Sequence, residues 1–182
     1  AIAQGLLAQG YEAIVTARSL DSANKAAERL GNKAIPLELD VSDDLSIEKA
    51  IAILSERIDR LDVLINNAGI YPDRKVDSLG ISRELLNAAM QTNAFGAIRM
   101  VQACLPLLEK STGARVINVS SGMGEMDSLT TTATSYSLSK LALNGATVML
   151  SQSLKAKNIV INAMCPGWVR TDMCGCPASD SP

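Results

Sequence analysis

Short apolar runs alternate with stretches of helical periodicity along this chain, and that alternation constrains its fold more than any single residue does. The runs at residues 13–17, 34–39, 62–66, 115–120 and 159–165 read as short buried strands. Residues 1–9, 22–30, 46–58, 82–108 and 135–155 read as helices. Gly10 and Gly31 stop the first two. Ser42, with Asp43 and Asp44, precedes the third, where Ser46 followed by Lys49 lacks a full capping box. In the fourth, an early break is expected and Pro106 lies near the end. Strands apolar on both faces need helices on both faces, which predicts a parallel sheet. Right-handed crossovers then give a single α/β domain with a doubly wound parallel sheet over residues 1–182, with a loose tail at 174–182. Pro36 points to an edge strand. In such sheets ligands bind beyond the carboxyl ends of the strands. Arg18, Asp40, Asn67, Ser121 and Pro166 each follow a strand there.

Composition narrows the chemistry. There is no histidine among the 182 residues, which removes Ser-His-Asp and Cys-His catalysis and His-ligated metals. Tyr, Lys and carboxylates remain for proton transfer, and no metal site is expected. A net charge of −2 without a basic stripe, and aromatics at 3 %, argue against nucleic acid. No apolar run is long enough to span a membrane, and residues 1–9 do not resemble a signal peptide. Cys104 and Cys165 lie in apolar segments and are expected as buried thiols, with a reducing cytoplasm as the expected compartment. Cys174 and Cys176 read as incidental loop cysteines.

Tyr136 and Lys140 lie four apart on a predicted helix and so share one face. An ammonium beside a phenol favours the ionised form, so the pair can exchange a proton near neutral pH. It stands in company with Asn66-Asn67-Ala68-Gly69, Asn93, Ser120-Ser121 and Pro166-Gly167, in that order.

Together these motifs resemble the short-chain dehydrogenase/reductase family, and within it the carbonyl-reductase-like members, on Pro166-Gly-Trp-Val-Arg-Thr-Asp-Met173. The resemblance implies hydride transfer between NADP(H) and a ketone or aldehyde, or the corresponding alcohol. Tyr136 would be the general acid. Lys140 would lower its pKa and hold the nicotinamide ribose, and Ser121, rather than Ser120, would hold the substrate oxygen. Asn93 would hold a proton-relaying water. On the cofactor side Asn67, Ala68 and Gly69 would line the adenosine ribose, while a structural role for Asn66 is at least as well supported as contact. Asp40 and Val41 would meet the adenine edge. Pro166, Gly167, Val169 and Thr171 would meet the nicotinamide. The run Thr16-Ala17-Arg18-Ser19 carries no acid at the position that accepts a ribose diol, so Arg18, with Ser19, is expected to favour the 2′-phosphate of NADP(H). The Ser- and Thr-rich stretch from Met126 to Thr134 is expected to shape substrate entry.

The chain departs from the family's pattern at both ends. The first strand with its Gly-rich turn, and the final strand, are not found in it, so it reads as a partial sequence. An unpaired gap is expected beside the strands at residues 13 and 62. The competing reading is a non-catalytic Rossmann-like nucleotide sensor or scaffold, or an inactive piece of a reductase. Leu138, Leu141, Val148 and Met149 fit either a core face or a homo-oligomer through the long helices, and a monomer is equally compatible.

Overall fold

The computed structural model describes residues 1–169 and residue 173. The main elements, in order, are α1 (Ile2–Ala8), β1 (Ala13–Ala17), α2 (Leu20–Leu30), β2 (Ala34–Glu38), α3 (Asp44–Ser55), β3 (Val63–Asn66), α4 (Arg83–Met90), α5 (Gly96–Leu108), β4 (Arg115–Val119), α6 (Thr134–Leu154) and β5 (Val160–Met164). Every pairing between these strands is parallel, and helices make the crossovers that parallel neighbours require.

The strands form two hydrogen-bonded groups, β1–β2 and β3–β4–β5, with β4 central in the second. No ladder joins β1 to β3 among the described residues, which is where an unpaired gap was expected from the sequence. The two groups nevertheless share one core. Leu37 and Leu39 meet Leu64, Val116 and Ile161 there, under Ile47 of α3 and Val101, Cys104 and Leu108 of α5. Among the described residues β2 pairs with β1 alone, so Pro36 lies on an edge strand and needs no donor on its outer side.

Local chemistry explains the helix starts. Ser19 Oγ accepts from Ser22 N at 3.3 Å and Ser82 Oγ from Leu85 N at 3.3 Å. α3 is capped by Asp43, whose Oδ1 accepts from Leu45 N at 3.0 Å. The helix thus starts earlier than the sequence pattern, which places its start at Ser46. That hydroxyl instead accepts from Asp40 N at 2.9 Å, tying the end of β2 to α3.

The long helical stretch is interrupted in its middle rather than early. A π-helical turn, Gln91–Phe95, joins α4 to α5, and Gly96 N bonds back five residues to Gln91 O. A Cβ on Gly96 would stand 2.5 Å from Val41 O, so α5 can begin this close to the loop after β2 only with glycine. A buried polar relay crosses the sheet: Asn66 Nδ2 donates to Asn118 Oδ1 (2.8 Å), Asn118 Nδ2 to Thr147 Oγ1 (2.8 Å), and Thr147 to Leu143 O (2.7 Å). Asn66 also donates to Ala97 O at 3.3 Å, so its side chain ties β3 to β4 and α5, and Asn118 extends the tie to α6. Among the described residues no helix is long and apolar enough to cross a membrane.

Candidate active site

α6 carries Tyr136 and Lys140 one turn apart, and both are buried, at 8 % and 4 % exposure. Lys140 Nζ lies 5.7 Å from the centre of the Tyr136 ring and donates to Val119 O, the last residue of β4, at 2.8 Å. Burial lowers the Lys140 pKa to about 8, because the charged form loses its hydration. The ammonium is still the main form at neutral pH, so it can stabilise an anion beside it.

The two serines after β4 are used differently. Ser120 is buried, and its hydroxyl donates to Asn144 Oδ1 of α6 at 2.6 Å. Ser121 is half-buried and starts a short 3₁₀ turn, Gly122–Gly124, where its Oγ accepts from Met123 N at 3.2 Å. As an acceptor in that bond it keeps its own proton to donate.

Asn93 sits in the π-helical turn, 1 % exposed. Its Oδ1 accepts from Ile70 N (2.8 Å), and its Nδ2 donates to Ile70 O (2.9 Å) and Ser139 Oγ (2.9 Å). Ser139 Oγ in turn donates to Tyr136 O at 2.7 Å. Both amide hydrogens are therefore spent on protein, and the side chain braces the loop after β3 against α6. Of the carboxamide only the second lone pair of Oδ1 is left for a water of the kind expected from the sequence.

The turn after β3 covers this cluster. A Cβ on Gly69 would stand 3.3 Å from Asn93 Oδ1 and 3.6 Å from Lys140 Nζ, so the glycine lets the backbone lie over both. Asn67 and Ala68 beside it are exposed.

Three residues in this loop were missed by sequence reasoning. Tyr71 stacks on Tyr136, with ring centres 4.4 Å apart and planes 24° from parallel. Arg74 Cζ lies 5.0 Å from the centre of the Tyr71 ring. Burial raises the Tyr71 pKa, the Asp73 charge adds to this, and Arg74 partly offsets it. Asp73 is fully buried, and its Oδ2 accepts from Ser135 N at 2.6 Å. The only local signal at these positions is the Pro72-Asp73 turn pair, which announces a loop but no contact.

Arg18 and Asp40 form a second group. Arg18 is exposed just beyond β1. Asp40 Oδ1 accepts from Ser42 Oγ (2.6 Å) and Ser42 N (2.9 Å). These two bonds chiefly, with a smaller contribution from Arg18, hold the Asp40 carboxyl below its usual range, against a partial desolvation that raises it. Ser19, expected on the cofactor, is the N-cap of α2, and its hydroxyl also donates to Ser22 Oγ at 2.9 Å. Val41 packs against Gly96 and lines a hollow of about 510 Å³ with Asp44, Gln91, Phe95 and Arg99; neither Tyr136 nor Lys140 borders it.

Beyond β5, Pro166, Gly167 and Trp168 are exposed and Val169 is half-buried. Gly167 has φ +83°, a left-handed turn that glycine adopts at little cost. Thr171, Cys174, Cys176 and the tail at 174–182 lie outside the described residues. Cys104 is buried as expected, but Cys165 is exposed. The reason is its place just past the end of β5, which among the described residues pairs with β4 on one side only, and there its Sγ accepts from Gly122 N at 3.3 Å. Among the described residues no cluster of His, Cys, Asp or Glu could hold a metal ion.

Parallel strands with helical crossovers, and marked residues at the strands' carboxyl ends, are the arrangement of a Rossmann-type nucleotide-binding domain. The sequence profile of the short chain dehydrogenase family matches residues 1–179, and the chain belongs to that family. It is therefore an oxidoreductase by class, in a family that works with nicotinamide dinucleotides. It is 34 % identical to the short-chain dehydrogenase anuI of Penicillium roqueforti, over 96 % of this chain and 75 % of that protein. It is 32 % identical to the 3-oxoacyl-[acyl-carrier-protein] reductase FabG of Aquifex aeolicus, over 95 % of this chain and 70 % of that one. Among solved structures it resembles the NADPH-bound carbonyl reductase from chicken fatty liver (TM-score 0.82, 32 % identity, 91 % of this chain and 72 % of that chain). A similar match is carbonyl reductase Sniffer of D. melanogaster (TM-score 0.80, 31 % identity, 91 % and 73 %).

Proposed function

We propose that this protein is an NADPH-dependent reductase of a ketone or aldehyde, acting equally as a dehydrogenase of the corresponding alcohol. The observation that carries the reading is the buried Tyr136–Lys140 pair, which the Gly69 turn covers and Asn93 braces. A buried ammonium next to a phenol favours the phenolate, which suits Tyr136 to give up a proton near neutral pH.

The residues present fit the dinucleotide. The missing side chain of Gly69 leaves backbone within reach of a ligand above Lys140. Asn67, Ala68 and the exposed Arg18 stand at strand ends on the side where nucleotides bind. Asp40 and Val41 would take the adenine edge, and Pro166, Gly167, Val169 and Thr171 the nicotinamide. The Ser19 hydroxyl is engaged as a helix cap, so Arg18 would supply most of the 2′-phosphate recognition.

When bound, NADPH supplies the hydride. Ser121 donates a hydrogen bond to the substrate oxygen and orients the carbonyl. Tyr136 gives its proton to that oxygen as the carbon is reduced. Lys140 stabilises the phenolate that remains and holds the ribose. Asn93 keeps the covering loop and α6 in register. The cytoplasm is the compartment this reading favours. A homo-oligomer would cover the exposed Leu138, Val148 and Met149 of α6.

The test uses the single tryptophan, Trp168, exposed beside Pro166-Gly167. Saturable quenching by NADPH, tighter than by NADH, is expected, together with NADPH-dependent reduction of a model ketone. Tyr136→Phe should keep the quenching and lose the reduction. Undiminished turnover in that variant would refute Tyr136 as the acid. Binding of NADPH without turnover in the wild type would favour a nucleotide-binding protein that does no chemistry.

A further inference from the structure

α6 begins without a cap of its own. Ala133, the residue before it, sits in the left-handed region at φ 59° and has no side chain that could accept from the first turn. The first amides of a helix have no partner within it and need one from elsewhere. Asp73 supplies it from a different loop, with its Oδ2 at 2.6 Å from Ser135 N, one residue before Tyr136. The carboxylate is wholly buried, and it lies at the helix end where a negative charge is favoured.

The same loop grips the Tyr136 helix at two further points. Asn93 holds both backbone groups of Ile70 and links through Ser139 to Tyr136 O. Tyr71 lies flat against the Tyr136 ring. Among the described residues Asp73 Oδ1, Thr134 Oγ1 and Ser135 Oγ are buried without a hydrogen-bond partner, so Oδ2 is the carboxylate oxygen that carries the contact to α6.

We propose that Asp73 is a positioning residue for Tyr136: it fixes the first turn of α6 from the loop after β3 and so sets where the phenol stands relative to Lys140 and the substrate oxygen. The inference deepens the reductase reading and rests on it for its catalytic consequence; the capping itself does not. Displacement of a reacting group by about 1 Å costs roughly 10²-fold in rate. Asp73→Ala should therefore lower kcat by roughly that factor while the Kd for NADPH stays within about twofold. Asp73→Asn keeps an acceptor oxygen in the same place and should return kcat to within about threefold of wild type.

Hydrogen exchange separates the inference from the reductase reading. In Asp73→Ala the amides of residues 133–140 should exchange at least about tenfold faster, with β4 unchanged, and Asp73→Asn should restore protection. Wild-type exchange in Asp73→Ala, or an asparagine variant no better protected than the alanine one, would overturn the capping. Restored protection in Asp73→Asn without restored kcat would overturn the positioning role. A wild-type protein without turnover would sink the reductase reading and with it the catalytic consequence. Should Asp73→Ala not fold, Asp73→Asn still decides: loss of protection or of turnover in it refutes the inference.

Discussion

Gly124 lies flat against the backbone of Lys140. A Cβ on it would stand 2.7 Å from both Lys140 C and Lys140 Cβ, and 2.9 Å from Leu141 N. Asn144 Nδ2 secures the contact by donating to Gly124 O at 3.1 Å, and Gly124 N bonds to Ser121 O at 3.0 Å. The turn carrying Ser121 is thus seated directly on the helix carrying Tyr136 and Lys140. Gly124→Ala should force the two apart and cost about 1–3 kcal/mol, as overpacking does. Urea denaturation reads the cost. Turnover should fall more than NADPH binding, because Ser121 moves with the turn.

The Asn66–Asn118–Thr147 relay makes a second case. Asn118 is 1 % exposed. Asn118→Leu would leave one Asn66 amide hydrogen without its acceptor and Thr147 Oγ1 without its donor, at a cost of about 1–3 kcal/mol in all, because Asn66 keeps Ala97 O and Thr147 keeps Leu143 O. Chemical denaturation should show that loss. A double variant with Asn66→Leu should lose less than the sum of the two single changes, because the orphaned partners go together.

Lys140 gives a pH dependence of defined sign. Its folded pKa is about 8 against an ordinary 10.5. Between those values the unfolded chain binds more protons than the folded one, so this residue's contribution to stability rises with pH across that window. Below pH 8 the buried charge costs up to about 3 kcal/mol. Lys140→Met removes that dependence. Its stability relative to wild type should fall as pH is raised from 8 towards 10.5, which thermal melts at a series of pH values would follow.

The two described thiols should part company. Burial pushes the Cys104 thiol up to about 12, leaving almost no thiolate at neutral pH, whereas Cys165 is exposed. Site-resolved alkylation of the native protein should modify Cys165 and spare Cys104 until the chain unfolds. Early labelling of Cys104 would contradict its place in the core.

Arg18→Asp tests the choice of dinucleotide. An acid at the end of β1 would accept from a ribose diol and repel a 2′-phosphate. The ratio of NADPH to NADH affinity should fall by about tenfold or more, the loss of one charge-assisted contact. An unchanged ratio would remove Arg18 from the cofactor site.

Much of the architecture was legible in the sequence because it rests on local patterns. The five apolar runs became five parallel strands, and Pro36 fell on an edge. Tyr136 and Lys140 share a helix face because four residues make about one turn. Helix boundaries were less legible. The cap of α3 moved to Asp43 because Ser46 was drawn to Asp40 N, a contact six residues away that no capping rule contains.

Tertiary structure alone decided what each side chain is spent on. Sequence named both serines after β4, but only the fold commits Ser120 to Asn144 and leaves Ser121 partly open. Sequence named Asn93, but its carboxamide is claimed by Ile70 and Ser139, at positions 23 and 46 residues away. Asp73 and Tyr71 carry no periodic or motif signal, since their partners Ser135 and Tyr136 belong to a different loop and helix. The alternation of strand and helix is written into neighbouring residues, so the chain alone determines it. A hydrogen bond between distant segments exists only once packing has brought them within about 3 Å, and only the folded molecule settles which of several candidates is used.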